Sequence, residues 1–268
     1  MKYCSVNGIE QTSIAVNDRG LAYGDGIFTT AKIVKGEIVL LDKHIERLTH
    51  GCQQLKIMAP LNENLIAHLE SVAKDHPLAV LKVMITAGSG GRGYSRKGLN
   101  DKSTNIIVMV SDFPNHYQTL SLQGINLGDS KQQISVSPML SGLKHLNRLE
   151  QVLLRAELDE RLEDDLVVTN YLGEVVEVTS SNLFYFLGEQ LCTPDLSKSG
   201  VDGIIRQEIL SKYPETKICR TSLADLNTAN SMFICNSLMG IMPVKTYNNC
   251  LLDLDVVLQL QTQMKKFI

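Results

Sequence analysis

Residues 141–158 read SGLKHLNRLEQVLLRAEL, one lysine, Lys144, set between a small flexible pair (Ser141, Gly142) and an apolar run of helical spacing. Leu146, Leu149, Leu153 and Ala156 recur at the period of an amphipathic helix and predict its buried stripe. Asn147, with Glu150 three residues on, has the spacing of a helix cap. A lysine at the mouth of such a helix can condense with an aldehyde, act as a base, or stand solvated at the surface. The rest of the chain has to decide among these.

Upstream, Tyr3–Val6 and Ile9–Gln11 flank Asn7-Gly8, the pair that suits a type I′ hairpin turn. The run 27–41 reads as two strands joined at Lys35-Gly36, and a helix is predicted over 42–55 with Asp42 as its cap. A second helix is predicted over 62–74, followed by an apolar strand over 79–87, the glycine-dense turn GSGGRGYS (88–95) and another strand over 103–110. The pattern breaks at FPNHYQ (113–118), which predicts a domain over 1–113, a linker over 114–120 and a second domain over 121–268. Downstream of the lysine segment come strands at 165–169, 174–179 and 182–187, and then Gly200 and Gly203 before a further helix. Uncrowded by side chains, such a helix start can hold an anion on its backbone N–H groups. An apolar strand over 232–244 is interrupted by Asn236 and Ser237, and an amphipathic helix closes the chain. Both halves read as α+β.

Twenty-six basic against 29 acidic residues give a net charge of −3, which leaves no electrostatic footprint for nucleic acid or an anionic membrane. No apolar run approaches the ~18 residues of a membrane span, and the first residues, MKYCSVNGIEQTS, do not resemble a signal peptide. The 6 cysteines contain no Cys-x-x-Cys pair and the 6 histidines no metal spacing. The expectation is reduced thiols, no metal, and a cytoplasmic protein that handles small molecules.

Five segments in this order, GDGIFTTAKI, HIERL, GSGGRGYS, GLKHLNRLEQ and EVVEVTSSNLF, resemble the fold-type IV pyridoxal-phosphate enzymes. These include branched-chain and D-amino-acid aminotransferases, and the likeness is narrower still to the 4-amino-4-deoxychorismate lyases. The resemblance runs from about Val6 to Val244. It implies a two-domain α+β homodimer with the cofactor, pyridoxal 5′-phosphate, in the cleft between domains. Lys144 takes the position of the lysine that condenses with the cofactor aldehyde, and Glu177 that of the carboxylate paired with the pyridine nitrogen. Arg47 matches the phosphate-binding arginine, whose planar fork of donors suits a phosphate. Ile204 and Ile205 match the backbone donors to that phosphate, and Asn236 and Ser237 the second phosphate-side turn. Arg92 and Tyr94 match residues that hold the substrate carboxylate, with Thr30 and Lys32 on the strand entering the site. His44 is assigned packing and a local hydrogen bond.

Fold and cofactor do not choose the reaction. Aminotransferases of this group carry a tyrosine five residues after the lysine, where this chain has Leu149, and both KHLNRLEQ and GSGGRGY follow the lyase pattern. The implied activity is cleavage of 4-amino-4-deoxychorismate to 4-aminobenzoate and pyruvate, a step of folate biosynthesis. The alternatives are an aminotransferase on the same scaffold and a cofactor-free small-molecule binding protein.

Overall fold

The computed structural model of the chain describes residues 1–90 and 93–264. Two compact units emerge, Met1–Pro114 with Lys144–Asn147, and Asn115–Leu143 with Arg148–Ile268. Among the described residues, the first unit carries β1 (Tyr3–Val6), β2 (Ile9–Glu10), α1 (Arg19–Tyr23), β3 (Gly26–Val34), β4 (Glu37–Ile38), α2 (Leu41–Gln54), α3 (Glu63–Lys74), β5 (Leu78–Thr86) and β6 (Asn105–Ser111). Its strands form one antiparallel sheet in the order β2-β1-β6-β5-β3-β4.

Alternation along the strands gives that sheet two different faces. Ile27, Ala31 and Ile33 of β3 and Leu81, Val83 and Ile85 of β5 pack with Leu48 and Cys52 of α2 and Leu65 and Leu69 of α3. Each such fully buried aliphatic side chain contributes roughly 1.5–3 kcal/mol. The opposite face gathers Cys4, Val6 and Ile107 with Met84 and Met109. Asn7 and Gly8 both take positive φ, 53° and 78°, as the predicted hairpin turn requires. α3 is capped by the Asn62 side chain, which accepts from Leu65 N at 3.3 Å. α2 differs from expectation. Its cap is Leu40, with φ 55° and no side-chain bond, and Asp42 lies inside the first turn, where its charge still favours the helix dipole.

The second unit comprises α4 (His116–Gln123), β7 (Ile125–Ile134), α5 (Leu149–Leu158), β8 (Asp165–Asn170), β9 (Val175–Val178), β10 (Asn182–Leu187), β11 (Gln190–Pro194), α6 (Ile204–Lys212), β12 (Lys217–Cys219), α7 (Leu223–Leu226), β13 (Ser231–Asn236), β14 (Gly240–Tyr247), β15 (Cys250–Leu251) and α8 (Asp255–Met264). Its mixed sheet runs β12-β11-β10-β13-β14-β7-β8-β9, with β15 added on β14. β10 reads NLFYFL because every residue but the last is buried, so both of its faces are apolar.

Two expectations fail here. The segment 114–120, expected as a linker, leads into α4, whose Tyr117 and Leu120 pack against the core of the second unit. The predicted stripe of α5 is also wrong: Leu149 is 70% exposed and Leu153 49%, while Leu154 and Leu158 are buried. The helix begins at Leu149 without a side-chain cap. Asn147 instead donates to Gly24 O, and Glu150 accepts from Ser135 N. Among the described residues no helix is long and apolar enough to cross a membrane, and no cluster of His, Cys, Asp and Glu is placed to hold a metal ion.

Candidate active site

Lys144 does not stand at a helix mouth. It lies in a short extended segment laid antiparallel on the start of β3, bridged at Ile27–His145. Phe28 N donates to Lys144 O at 2.9 Å and Leu146 N donates to Gly26 O at 2.9 Å, so the lysine backbone is pinned on both sides. Its Nζ sits 4.8 Å from the centre of the Phe28 ring. Phe28, Thr30 and Lys32 alternate with the helix-facing residues of β3 and so share the sheet face away from α2 and α3.

On the helix-facing side, Thr29 Oγ1 lies 2.6 Å from His44 Nδ1. His44 is 2% exposed, and among the described residues its buried Nε2 has no hydrogen-bond partner. Burial pushes its pKa down to about 3, helped by the positive charges of Arg47 and Lys144. Arg47 itself is half-buried on α2, three residues after His44.

Tyr94 is 85% exposed, its ring 5.3 Å from that of Tyr23. The backbone around it is clamped. The buried Arg19 side chain donates to Gly93 O (3.0 Å), Ser95 O (3.3 Å), Tyr94 O (2.9 Å) and the Asp25 carboxylate (2.7 Å). Arg96 donates to the same carboxylate and to Leu55 O. Burial works to raise the Asp25 carboxyl, but the hydrogen bonds and charges of Arg96 and Arg19 outweigh it and hold it below the usual range. Arg92, expected on this turn, falls outside the described residues.

In the second unit Glu177 is 6% exposed on β9, and its Oε2 accepts from Val201 N at 3.0 Å. Gly200, at φ +84°, lets that turn close: a Cβ there would press on Val176 and stand 3.2 Å from Glu177 Oε2. Burial lowers the pKa of Arg148, while the charges of Glu177 and Glu150 oppose that shift.

α6 starts at Ile204 and Ile205 with Gly203 as its cap and no side-chain bond to its first N–H groups. Asn182 braces the approach, accepting from Gly203 N (3.0 Å) and donating to Val201 O (2.7 Å). A Cβ on Gly203 would collide with Asn182 Oδ1. At the end of β13, which pairs with β10, Asn236 Oδ1 accepts from Leu238 N and Met239 N, and its Nδ2 donates to Ser181 Oγ at 3.0 Å. Ser181 and Asn182 therefore tie the α6 start and the Asn236–Ser237 turn to one strand end. This combination can hold an anion on backbone donors.

Residues 26–247 match the family model described as amino-transferase class IV. The chain belongs to this family. Among class IV members, it is 36% identical to an aminodeoxychorismate lyase of Vibrio harveyi over 89% of both chains. The crystal structure of 4-amino-4-deoxychorismate lyase from Pseudomonas aeruginosa superimposes with a TM-score of 0.91 at 34% identity, over 98% of each chain. A D-alanine aminotransferase of Listeria monocytogenes is 23% identical over 88% of this chain and 82% of its own.

The structure thus groups Lys144, Phe28, Thr30, Lys32 and Arg47 in the first unit, and Glu177, Ile204, Ile205, Asn236 and Ser237 in the second. Sequence reasoning gave no role to Arg19, Asp25, Arg148, Ser181 or Asn182. Ser181 and Asn182 lie inside the motif EVVEVTSSNLF and were within its reach. Arg19 and Asp25 sit among turn residues, where no periodicity marks a buried ion pair.

Proposed function

We propose that the chain converts 4-amino-4-deoxychorismate to 4-aminobenzoate and pyruvate with bound pyridoxal phosphate. The observation that carries the choice of reaction is the near-full-length likeness to two lyases of different bacteria, at 36% and 34% identity. The donor set fits the cofactor. A helix start without a side-chain cap, approached through a glycine whose Cβ would collide with Asn182, suits a phosphate. A buried carboxylate suits a protonated ring nitrogen, and a lysine fixed by its backbone on both sides suits an aldehyde.

When bound, pyridoxal phosphate supplies an aldehyde that takes up amines and a ring that withdraws electrons from the carbon bearing the amine. The N–H groups of Ile204 and Ile205 and the Asn236–Ser237 turn would hold the phosphate, a role this reading gives to Arg47 as well. Glu177 would keep the ring nitrogen protonated. Lys144 Nζ removes the proton from the amine-bearing carbon of the substrate. The neighbouring C–O bond breaks, its electron pair leaves with the enolpyruvyl oxygen, and the ring becomes aromatic. Lys144 returns the proton to the departing enolate carbon, giving pyruvate. Proton transfer by a positioned group contributes ~10²–10⁴-fold. Thr30, Lys32 and Tyr94 contact the substrate, as does Arg92. The same reading makes the protein a cytoplasmic homodimer. The exposed apolar side chains of Leu149, Val152 and Leu153 on α5 support a covered surface, and light scattering in solution measures it.

Incubation with aminodeoxychorismate and no amino acceptor tests the reaction. The expected outcome is 4-aminobenzoate and pyruvate in equal amounts, lost in Lys144→Ala. Turnover that requires an added keto acid would assign the chain to the aminotransferases instead.

A further inference from the structure

Residues 200–203, the turn that leads into α6, are bonded to three other segments of the second unit. Val201 N donates to Glu177 Oε2 on β9 at 3.0 Å. Gly142, two residues before Lys144, donates to Gly200 O at 2.9 Å and accepts from Asp202 N at 3.1 Å. Gly203 ends the turn as the cap of α6, and Asn182 of β10 bonds both Val201 O and Gly203 N. One short turn thus meets the strand of Glu177, the lead-in to Lys144 and the start of α6.

Two side chains of α6 reach back to hold this turn. Arg206 Nη1 donates to Asp202 Oδ1 at 2.7 Å, and Gln207 Nε2 donates to Asp202 Oδ2 at 3.0 Å. Gln207 is exposed, so its bond competes with water and contributes little. Arg206 is 5% exposed, and its Nη2 donates to Pro194 O at the end of β11, at 3.1 Å. A buried guanidinium costs several kcal/mol unless it is paired, so Arg206 and Asp202 fix each other's positions. Asp202 stands between Val201 and Gly203. Its release would loosen Val201 N from Glu177 on one side and Gly203 N from Asn182 on the other. A backbone N–H on a carboxylate sets its orientation and favours its charged form.

We propose that Arg206, acting through Asp202, is a positioning residue that couples the phosphate end of the cofactor site to the carboxylate at its ring end. The proposal rests on the reading that gives the start of α6 to the phosphate and Glu177 to the ring nitrogen.

Absorbance titrations with pyridoxal phosphate, and with pyridoxal, which lacks the phosphate, separate the two ends. Arg206→Met is expected to weaken pyridoxal phosphate at least ~tenfold and pyridoxal at least ~threefold, as loss of a supporting partner does. It is also expected to move the pH at which the bound cofactor changes colour by about half a unit, in the direction that Glu177→Gln moves it. In a Glu177→Gln background this pH shift vanishes, whereas a merely structural role would leave it in place. Asp202→Asn keeps an acceptor for Arg206 and is expected to show the same pattern at smaller amplitude, which serves if Arg206→Met does not fold. Arg206→Lys keeps the charge and is expected to recover part of both losses. Lys2→Met breaks an exposed ion pair of the first unit and is expected to change neither. A loss confined to pyridoxal phosphate, with the colour change at its wild-type pH, would overturn the coupling, since Arg206 would then serve the phosphate alone. Unchanged affinities for both compounds would overturn it too. A colour change that Glu177→Gln does not move would overturn the reading of Glu177, and the coupling with it; the Glu177 variant by itself tells this failure from the other two.

Discussion

Below about pH 6.5 an unfolded chain protonates its histidines, whereas His44 in the folded chain stays neutral down to about pH 3. The unfolded state therefore binds the extra proton between those values, and stability falls as pH falls through that window. Above pH 6.5 the effect vanishes. For a single group this amounts to on the order of 1.5 kcal/mol between pH 6.5 and 5. Urea unfolding of His44→Gln at the two pH values is expected to lose less than the wild type by about that amount. Parallel losses would remove His44 as the cause. The packing of His44 was legible in the sequence, but its hydrogen-bond partner was not. HIERL announced a histidine three residues before an arginine, but the buried bond to Thr29 depends on how β3 packs against α2. Lys144 and Glu177 could be singled out in the sequence because the chemistry proposed for them is written in residue type and motif.

At the scale of elements, the start of α6 carries the sharpest constraint. Gly203 leaves no room for a Cβ beside Asn182, so Gly203→Ala must shift either the helix start or the Asn182 brace. Titration with pyridoxal phosphate, followed by absorbance, is expected to show at least ~tenfold weaker binding for this variant, in line with the cost of displacing a supporting group. Far-ultraviolet circular dichroism should stay unchanged. Unaltered affinity would mean that the phosphate is held elsewhere. Most strands and helices were readable from period and turn chemistry, as with Asn7-Gly8 and the cap-bearing Asn62. α5 misled because its apolar residues outnumber the buried ones. Leu149, Val152 and Leu153 keep the helical period yet remain exposed, and periodicity alone cannot say which side of a helix finds a neighbour. The linker failed for a related reason: HYQTLSLQ is polar enough to read as loop, and its helix is secured by Tyr117 and Leu120 against the core.

At the scale of the molecule, a ligand that binds only the folded state raises its stability by ~2.7 kcal/mol at a hundredfold excess over Kd. In a chain of this size that corresponds to a Tm increase of roughly 5–10 °C. Pyridoxal phosphate is expected to produce such a shift in the wild type and a smaller one in Lys144→Ala. A Tm indifferent to the cofactor in both would argue against the binding reading. The α+β class was legible from the chain's composition of elements. The grouping of Lys144–Asn147 with the first unit was not, because the chain around that segment builds the second. Chain length orders events during synthesis as well. β3 leaves the ribosome more than a hundred residues ahead of Lys144, a delay on the order of 10 s at typical elongation rates. Through that interval the Gly26–Phe28 edge of the sheet waits without the segment that later covers it, and an open edge is a site for pairing with other chains. A gene cut at Pro114 would make that state permanent. The segment that closes the nascent sheet and the amine proposed to perform the chemistry are delivered by the same four residues, so neither is complete without the other.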